Sequence, residues 1–194
     1  MCPGRSRFAS GILASFHRRT ARISTFTVWQ RIALMLLALL GTAACAAGSV
    51  RDGMYRDGRD RFSVRLPPAR WQLASLEGAT LGFRAPDLDA GMGLRADCDN
   101  PEPGPLPWVA RHLFFGLTNT RIDANERLTR ADDSLVRTRL HARLDDRPVE
   151  VDAVTMRSGS CLYDFMYVAP PERFEEGRPD FDAFVRSWSP GPTQ

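Results

Sequence analysis

From Arg61 to Trp188 the apolar positions follow two different periods, and each change of period marks an element. Arg61-Phe62-Ser63-Val64-Arg65-Leu66 alternates polar and apolar, the pattern of a half-buried strand. Pro67-Pro68 ends it, because proline has no N–H to give to a ladder. Trp71 to Leu76 and Ala79 to Arg84 are predicted as the next two strands, with Leu81 and Phe83 on one face. Gly91 to Cys98 is a fourth, and Met92, Leu94, Ala96 and Cys98 share one of its faces. The Pro/Asp-rich stretch from Asp99 to Pro105 reads as a loop.

The period then becomes helical. Leu106, Val109, Ala110, Leu113, Phe114 and Leu117 recur at the spacing of a helix that lays a broad face on a sheet. Ile122 to Thr129 is predicted as a weakly patterned strand. Leu135 to Leu144 is the clearest one: Val136, Thr138, Leu140, Ala142 and Leu144 take one face, and Arg137, Arg139, His141 and Arg143 the other. Asp145-Asp146-Arg147-Pro148 is the turn, leaving a loop of two or four residues. Val149 to Met156 returns with Glu150 and Asp152 facing the cationic side, so acids meet Arg or His across the hairpin in either register. Cys161 to Ala169 is apolar on both faces apart from Asp164, as a central strand should be. A last helix is predicted to start near Pro179, with Phe181, Phe184, Val185 and Trp188 as its buried stripe and Ser189 to Pro192 as a frayed tail.

Upstream of this domain lies an uncharged run, Ile32 to Cys45, preceded by Arg18, Arg19, Arg22 and Arg31. A cationic flank, an apolar core and small residues after it are the parts of an export signal. Thr42-Ala43-Ala44-Cys45 resembles a bacterial lipobox, in which the cysteine is lipidated and becomes the mature N-terminus. Thr42 stands where that motif usually has Leu. Two other readings stay open: a soluble secreted protein cut near Ala44 or Ala47, and an uncleaved anchor. Residues 1–44 are therefore assigned to a lipoprotein-type signal with an over-long N-terminal extension. Residues 45–59 are assigned to a lipidated cysteine and a Gly/Asp/Arg-rich tether, and 60–190 to one globular domain. The expected location is the bacterial cell envelope, facing the periplasm.

That division changes the charge. The chain has 26 Lys+Arg against 23 Asp+Glu, yet the segment before Cys45 carries arginines and no acid, so the remainder is net acidic. This removes the compositional case for nucleic-acid binding. Every basic residue is Arg, which excludes lysine Schiff-base and P-loop chemistry.

Candidate chemistry is sparse. Outside the cytoplasm Cys98 and Cys161, near adjacent strand ends, invite a disulfide; two buried thiols or a reactive Cys161 are the alternatives. His112 sits on the polar edge of its helix, and His141 on a charged hairpin face where Glu150 or Asp152 would pair with it. Asp164 is the candidate ligand contact, since a lone carboxylate in an apolar strand is costly to bury unpaired. An ion pair with an arginine, or a place near the sheet edge, is the competing account. The Arg137/Arg139/Arg143 face could meet phosphate or lipid headgroups, or be balanced by the next strand. No metal-ligand spacing, phosphate loop or nucleophile elbow occurs, and no cofactor is expected.

Two segments together resemble the PsbP-like domains. Phe62-Ser63-Val64-Arg65-Leu66-Pro67 followed by Trp71 is similar to their opening, and Tyr163 to Val168, Phe174 and the helix Phe181 to Trp188 are similar to their ending. The resemblance implies an α+β fold with a curved antiparallel sheet flanked by two or three helices. It also implies a small exported or lipid-anchored protein that binds a larger assembly, with no shared catalytic residue. The expectation is a membrane-anchored binding or assembly module with an envelope protein partner, or a small amphiphile held between sheet and helix. An envelope hydrolase using Asp164 with His112 or His141, and a purely structural lipoprotein, are the alternatives.

Overall fold

The computed structural model describes residues 48–130 and 133–192. Eleven strands and two α-helices are named here in chain order. A small sheet contains β1 (Ser49–Arg51), β2 (Met54–Arg56), β3 (Phe62–Arg65) and β11 (Ser189–Pro190) in the order β1-β2-β3-β11. A larger one contains β4 (Gln72–Leu73), β5 (Leu81–Ala85), β6 (Ala90–Asp97), β7 (Thr118–Arg130), β8 (Asp133–Leu144), β9 (Arg147–Ser158) and β10 (Cys161–Ala169). Its order is β4-β5-β6-β10-β9-β8-β7, and every pairing in both sheets is antiparallel. The helices are α1 (Leu106–His112) and α2 (Phe174–Arg186). This is the α+β arrangement expected from the sequence.

One face of the large sheet builds the main core. Met92 and Leu94 from β6, Tyr163, Phe165 and Tyr167 from β10, and Val154 and Met156 from β9 point into it. Phe174, Phe181 and Phe184 of α2 cover them, together with Phe62 and Val64 of the small sheet. The rings pack mostly edge to face: Tyr163 on Trp188 at 4.9 Å, Phe62 on Tyr163 at 5.4 Å, and Phe165 on Phe184 at 5.6 Å between centroids. Such pairs add about 0.5–1.5 kcal/mol beyond the area they bury. Gly177 lets α2 approach closely, because a Cβ there would overlap the Tyr167 hydroxyl. That hydroxyl donates to the Phe174 carbonyl at 2.9 Å. The opposite face holds a smaller cluster of Leu140, Ala142, Val149 and Val151, over which α1 and the following Phe114 and Leu117 lie.

Four expectations are corrected. Residues 49–56, read as tether, form β1 and β2, and Tyr55 is buried in the core. The predicted tail at Ser189 pairs with β3, so Trp188 is buried beyond the end of its helix. The last helix begins at Phe174 rather than near Pro179, which lies inside it; burial of Phe174 and Gly177 against β10 outweighs the N–H the proline lacks. Helix α1 ends at His112, and the chain turns through Gly116, whose φ is +91°. The β8–β9 loop is the two-residue one: Leu144 faces Arg147, and Asp145 and Asp146 both adopt positive φ, as a primed hairpin turn requires.

Candidate functional site

The strands β5, β6 and β10 present alternate residues to the face opposite the main core, and there the covering helix stops short. Register places Arg84 beside Gly91, Gly93 beside Met166, and Arg95 beside Asp164. The result is an open groove of about 870 Å³. Gly91, Gly93, Met166 and Val168 form its floor, His112 and Leu113 one wall, and Leu76 to Ala79 the other. The hairpin tip from Leu144 to Arg147 borders it. A Cβ at Gly91 would meet only the Phe83 carbonyl, at 3.7 Å, so the floor is open there because glycine leaves it open; at Gly93 a Cβ would come within 3.0 Å of the Leu81 carbonyl and 3.7 Å of Ala79 and Leu76 in the wall.

Asp164 lies in this groove on the central strand and is 6% exposed. It is not at a sheet edge, and it has no ion pair among the described residues. Arg95, its cross-strand neighbour, is bound to Asp97 at 3.2 Å. Among the described residues Asp164 Oδ1 has no hydrogen-bond partner, and neither does the hydroxyl of Thr155, which faces it from β9. A buried polar atom left unsatisfied costs about 1–3 kcal/mol. Burial pushes the Asp164 carboxyl up to about 6, against the opposing pull of the Thr155 hydroxyl and then of Arg95.

His112 also lines the groove. Its Nδ1 is bonded to the Glu102 carboxylate, and its ring packs between Trp108 at 4.1 Å and Phe115 at 5.6 Å. Although it sits on the polar edge of its helix, His112 is half-buried beside the same cavity as Asp164. His141 does not join them. Its Nε2 meets Asp123 of β7 at 3.0 Å, a partner the hairpin pattern did not offer. None of the described lining residues carries a hydroxyl or thiol.

The cationic hairpin face is neutralised by its neighbours. Arg137 grips Asp152 with two nitrogens, at 2.9 and 2.6 Å, and reaches Asp182 of α2 at 2.6 Å. The hydrogen bonds that Arg137 donates to Asp152 hold its guanidinium above its ordinary pKa, against burial. Arg139 lies near Asp152 and Glu175 and over the Phe174 ring at 5.5 Å. This face clamps α2 to the sheet.

Cys98 and Cys161 form a disulfide that ties the end of β6 to the start of β10. Cys161 therefore has no free thiol. Closing a loop with a sequence separation of 63 stabilises by about 4 kcal/mol on the chain-entropy model. Cys45 and the export segment lie outside the described residues. Among the described residues no helix is long and apolar enough to cross a membrane, and no group of His, Cys, Asp and Glu is placed to hold a metal.

The strand order and the covering helix can be set against solved structures. Cyanobacterial PsbP (CyanoP) from Synechocystis sp. PCC 6803 superposes over 77% of this chain and 96% of its own, with a TM-score of 0.56 at 14% identity. The fold is PsbP-like. LpqN, involved in cell envelope biogenesis of Mycobacterium tuberculosis, shares this PsbP-like arrangement over 68% of this chain and 84% of its own, with a TM-score of 0.51 at 11% identity. The chain matches no protein-family model and no curated protein. At these identities the PsbP-like likeness speaks for architecture, and the site must be argued from its own residues.

The sequence signal for the groove is present in retrospect. Gly82, Gly91 and Gly93 fall on the side of β5 and β6 away from Met92 and Phe83, so between Arg84 and Arg95 that face carries no side chains. Read from the apolar residues alone, that face is invisible.

Proposed function

We propose that this chain is a lipid-anchored binding or assembly module of the cell envelope that works without catalysis. The observation that carries the reading is the unequal treatment of the two sheet faces. One is closed by α2 and the small sheet, and the other stays open over β5, β6 and β10 as an apolar-floored groove with one buried carboxylate. Concave sites of this volume, with an apolar floor and polar groups at fixed places around it, are the usual form of a ligand site. The location rests on the sequence: the arginine-flanked run, Thr42 to Cys45, and two cysteines joined as they are in oxidising compartments. LpqN is a protein of the same fold with a part in envelope biogenesis, which supports an envelope role here.

The mass of the mature N-terminal peptide from the membrane fraction tests the address. The expected peptide begins at acylated Cys45; an unprocessed N-terminus would contradict it.

A hydrolytic reading draws on one observation, the placement of Asp164 and His112 in the same groove. With no hydroxyl or thiol in the lining, the nucleophile would be the Asp164 carboxylate itself or a water. Turnover of a substrate by the purified protein, abolished in Asp164→Ala, would establish that reading and overturn the binding module.

A further inference from the structure

The groove has a direction. Asp164, Arg95 and His112 stand towards one end, and Pro86, Asp89, Pro148 and Glu172 towards the other. Between Asp164 and Pro170 runs about 20 Å of strand, floored by Gly91, Gly93, Met166 and Val168. The polar head of a ligand and its apolar part therefore have separate places, and the shape suits a chain rather than a compact ring system.

The charge around it has a sign. Asp164, Glu77, Asp89, Asp145 and Glu172 line the groove against Arg84, Arg95 and Arg147. Two of the arginines are already engaged, Arg95 with Asp97 at 3.2 Å and Arg147 with Asp89 at 2.6 Å. Arg157, on the same face beyond Thr155, is held by the Glu102 and Gly104 carbonyls. Glu77, Asp145 and Glu172 have no ion pair among the described residues, and Asp164 Oδ1 is a buried acceptor without a donor. What the site lacks is a compact group that both donates hydrogen bonds and carries positive charge.

We propose that the groove binds a single-chain amphiphile with an ammonium head, the head donating to Asp164 beside the end of α1 and the chain lying along the Gly91–Gly93 strip. This rests on the reading of the open face as a binding surface and adds the chemistry of the ligand. An ammonium supplies three donors and neutralises the acid excess. The apolar chain covers Met166 and Val168, which are only half-buried in the free protein. An anionic head would meet Asp164 and the unpaired rim acids and be repelled.

The test uses the full chain, purified from membranes and held in an amphipol, titrated with octylammonium, octanoate and 1-octanol. The Met166 methyl resonance and the melting temperature report binding. The expected order is octylammonium tighter than 1-octanol or octanoate by about tenfold or more. Asp164→Asn keeps the shape and removes the charge, and is expected to bring octylammonium to the affinity of 1-octanol. Gly91→Val places a branched side chain on the floor of a strand that accepts it, and is expected to abolish binding of all three while the melting temperature holds. Equal affinities in the unaltered chain, a preference for octanoate, no binding of any probe, or binding that survives Gly91→Val would each overturn the proposal. A protein crosslinked from the groove without amine selectivity would overturn the ammonium ligand and leave the binding module standing.

Discussion

The two faces of the central strand β10 are packed in opposite ways. Cys161, Tyr163, Phe165, Tyr167 and Ala169 point one way and are all buried under α2 and the small sheet. Leu162, Asp164, Met166 and Val168 point the other way, where Arg95, Gly93 and Gly91 oppose the last three. Aromatic rings on the first face fill the space between sheet and helix, so that face is dry and fixed. Glycines on the second supply no volume, and α1 lies over β8 and β9 instead of reaching across, so that side stays open. One strand thus serves as a core element and as the floor of an open groove, and a change of one position in sequence moves a residue from the dry core to the groove.

The comparison can be broken most severely from the core side. Phe165→Ala removes a fully buried ring that meets Phe184 and is expected to cost about 3–5 kcal/mol in urea unfolding. Met166→Ala, one position on and half-buried in the groove, should cost well under half of that; equal costs would mean the two faces are packed alike. Reduction of Cys98–Cys161 loosens β6 against β10 and so touches both faces, with an expected loss of about 4 kcal/mol measured by unfolding with and without reductant. Asp164→Asn sharpens the comparison from the groove side. The folded carboxyl titrates near 6, above its ordinary 3.8, so the native state holds the proton more tightly than the unfolded chain. Stability is then greatest below about pH 4 and falls as pH rises through about 6. The Asn variant lacks that slope and should exceed the unaltered protein above pH 6, by about 3 kcal/mol at most, the two converging in acid. Parallel unfolding curves from pH 4 to 8 would refute the buried, unpaired carboxylate.

The alternation that the sequence displays is a record of the dry face. Met92 and Leu94, Leu81 and Phe83, and the apolar positions of Leu135 to Leu144 fall where a period of two places them, because burial selects large apolar side chains at those positions. That acids would face cations across the hairpin was legible for a related reason, since register puts Arg139 opposite Asp152 and His141 opposite Glu150; the bonds that form run diagonally, Arg137 to Asp152, and to the next strand, His141 to Asp123. Asp164 was recognisable as an anomaly, but what it faces was not. The groove is made of glycines, backbone and the end of a short helix, none of which carries a hydrophobic period. The short strands β1, β2 and β11 were missed because their pairing with β3 comes from tertiary packing around Tyr55, Phe62 and Trp188, which neighbours in sequence do not reveal.

The central claim is that the open face is the working face. Photo-crosslinkers placed in living cells at Arg84 and Leu113 on the groove, and at Glu126 and Arg178 away from it, test this directly. The account predicts that adducts, whether of lipid mass or of protein mass, form from the groove positions and are reduced by Gly91→Val. Adducts that form equally well from Glu126 and Arg178, or that ignore Gly91→Val, would contradict it.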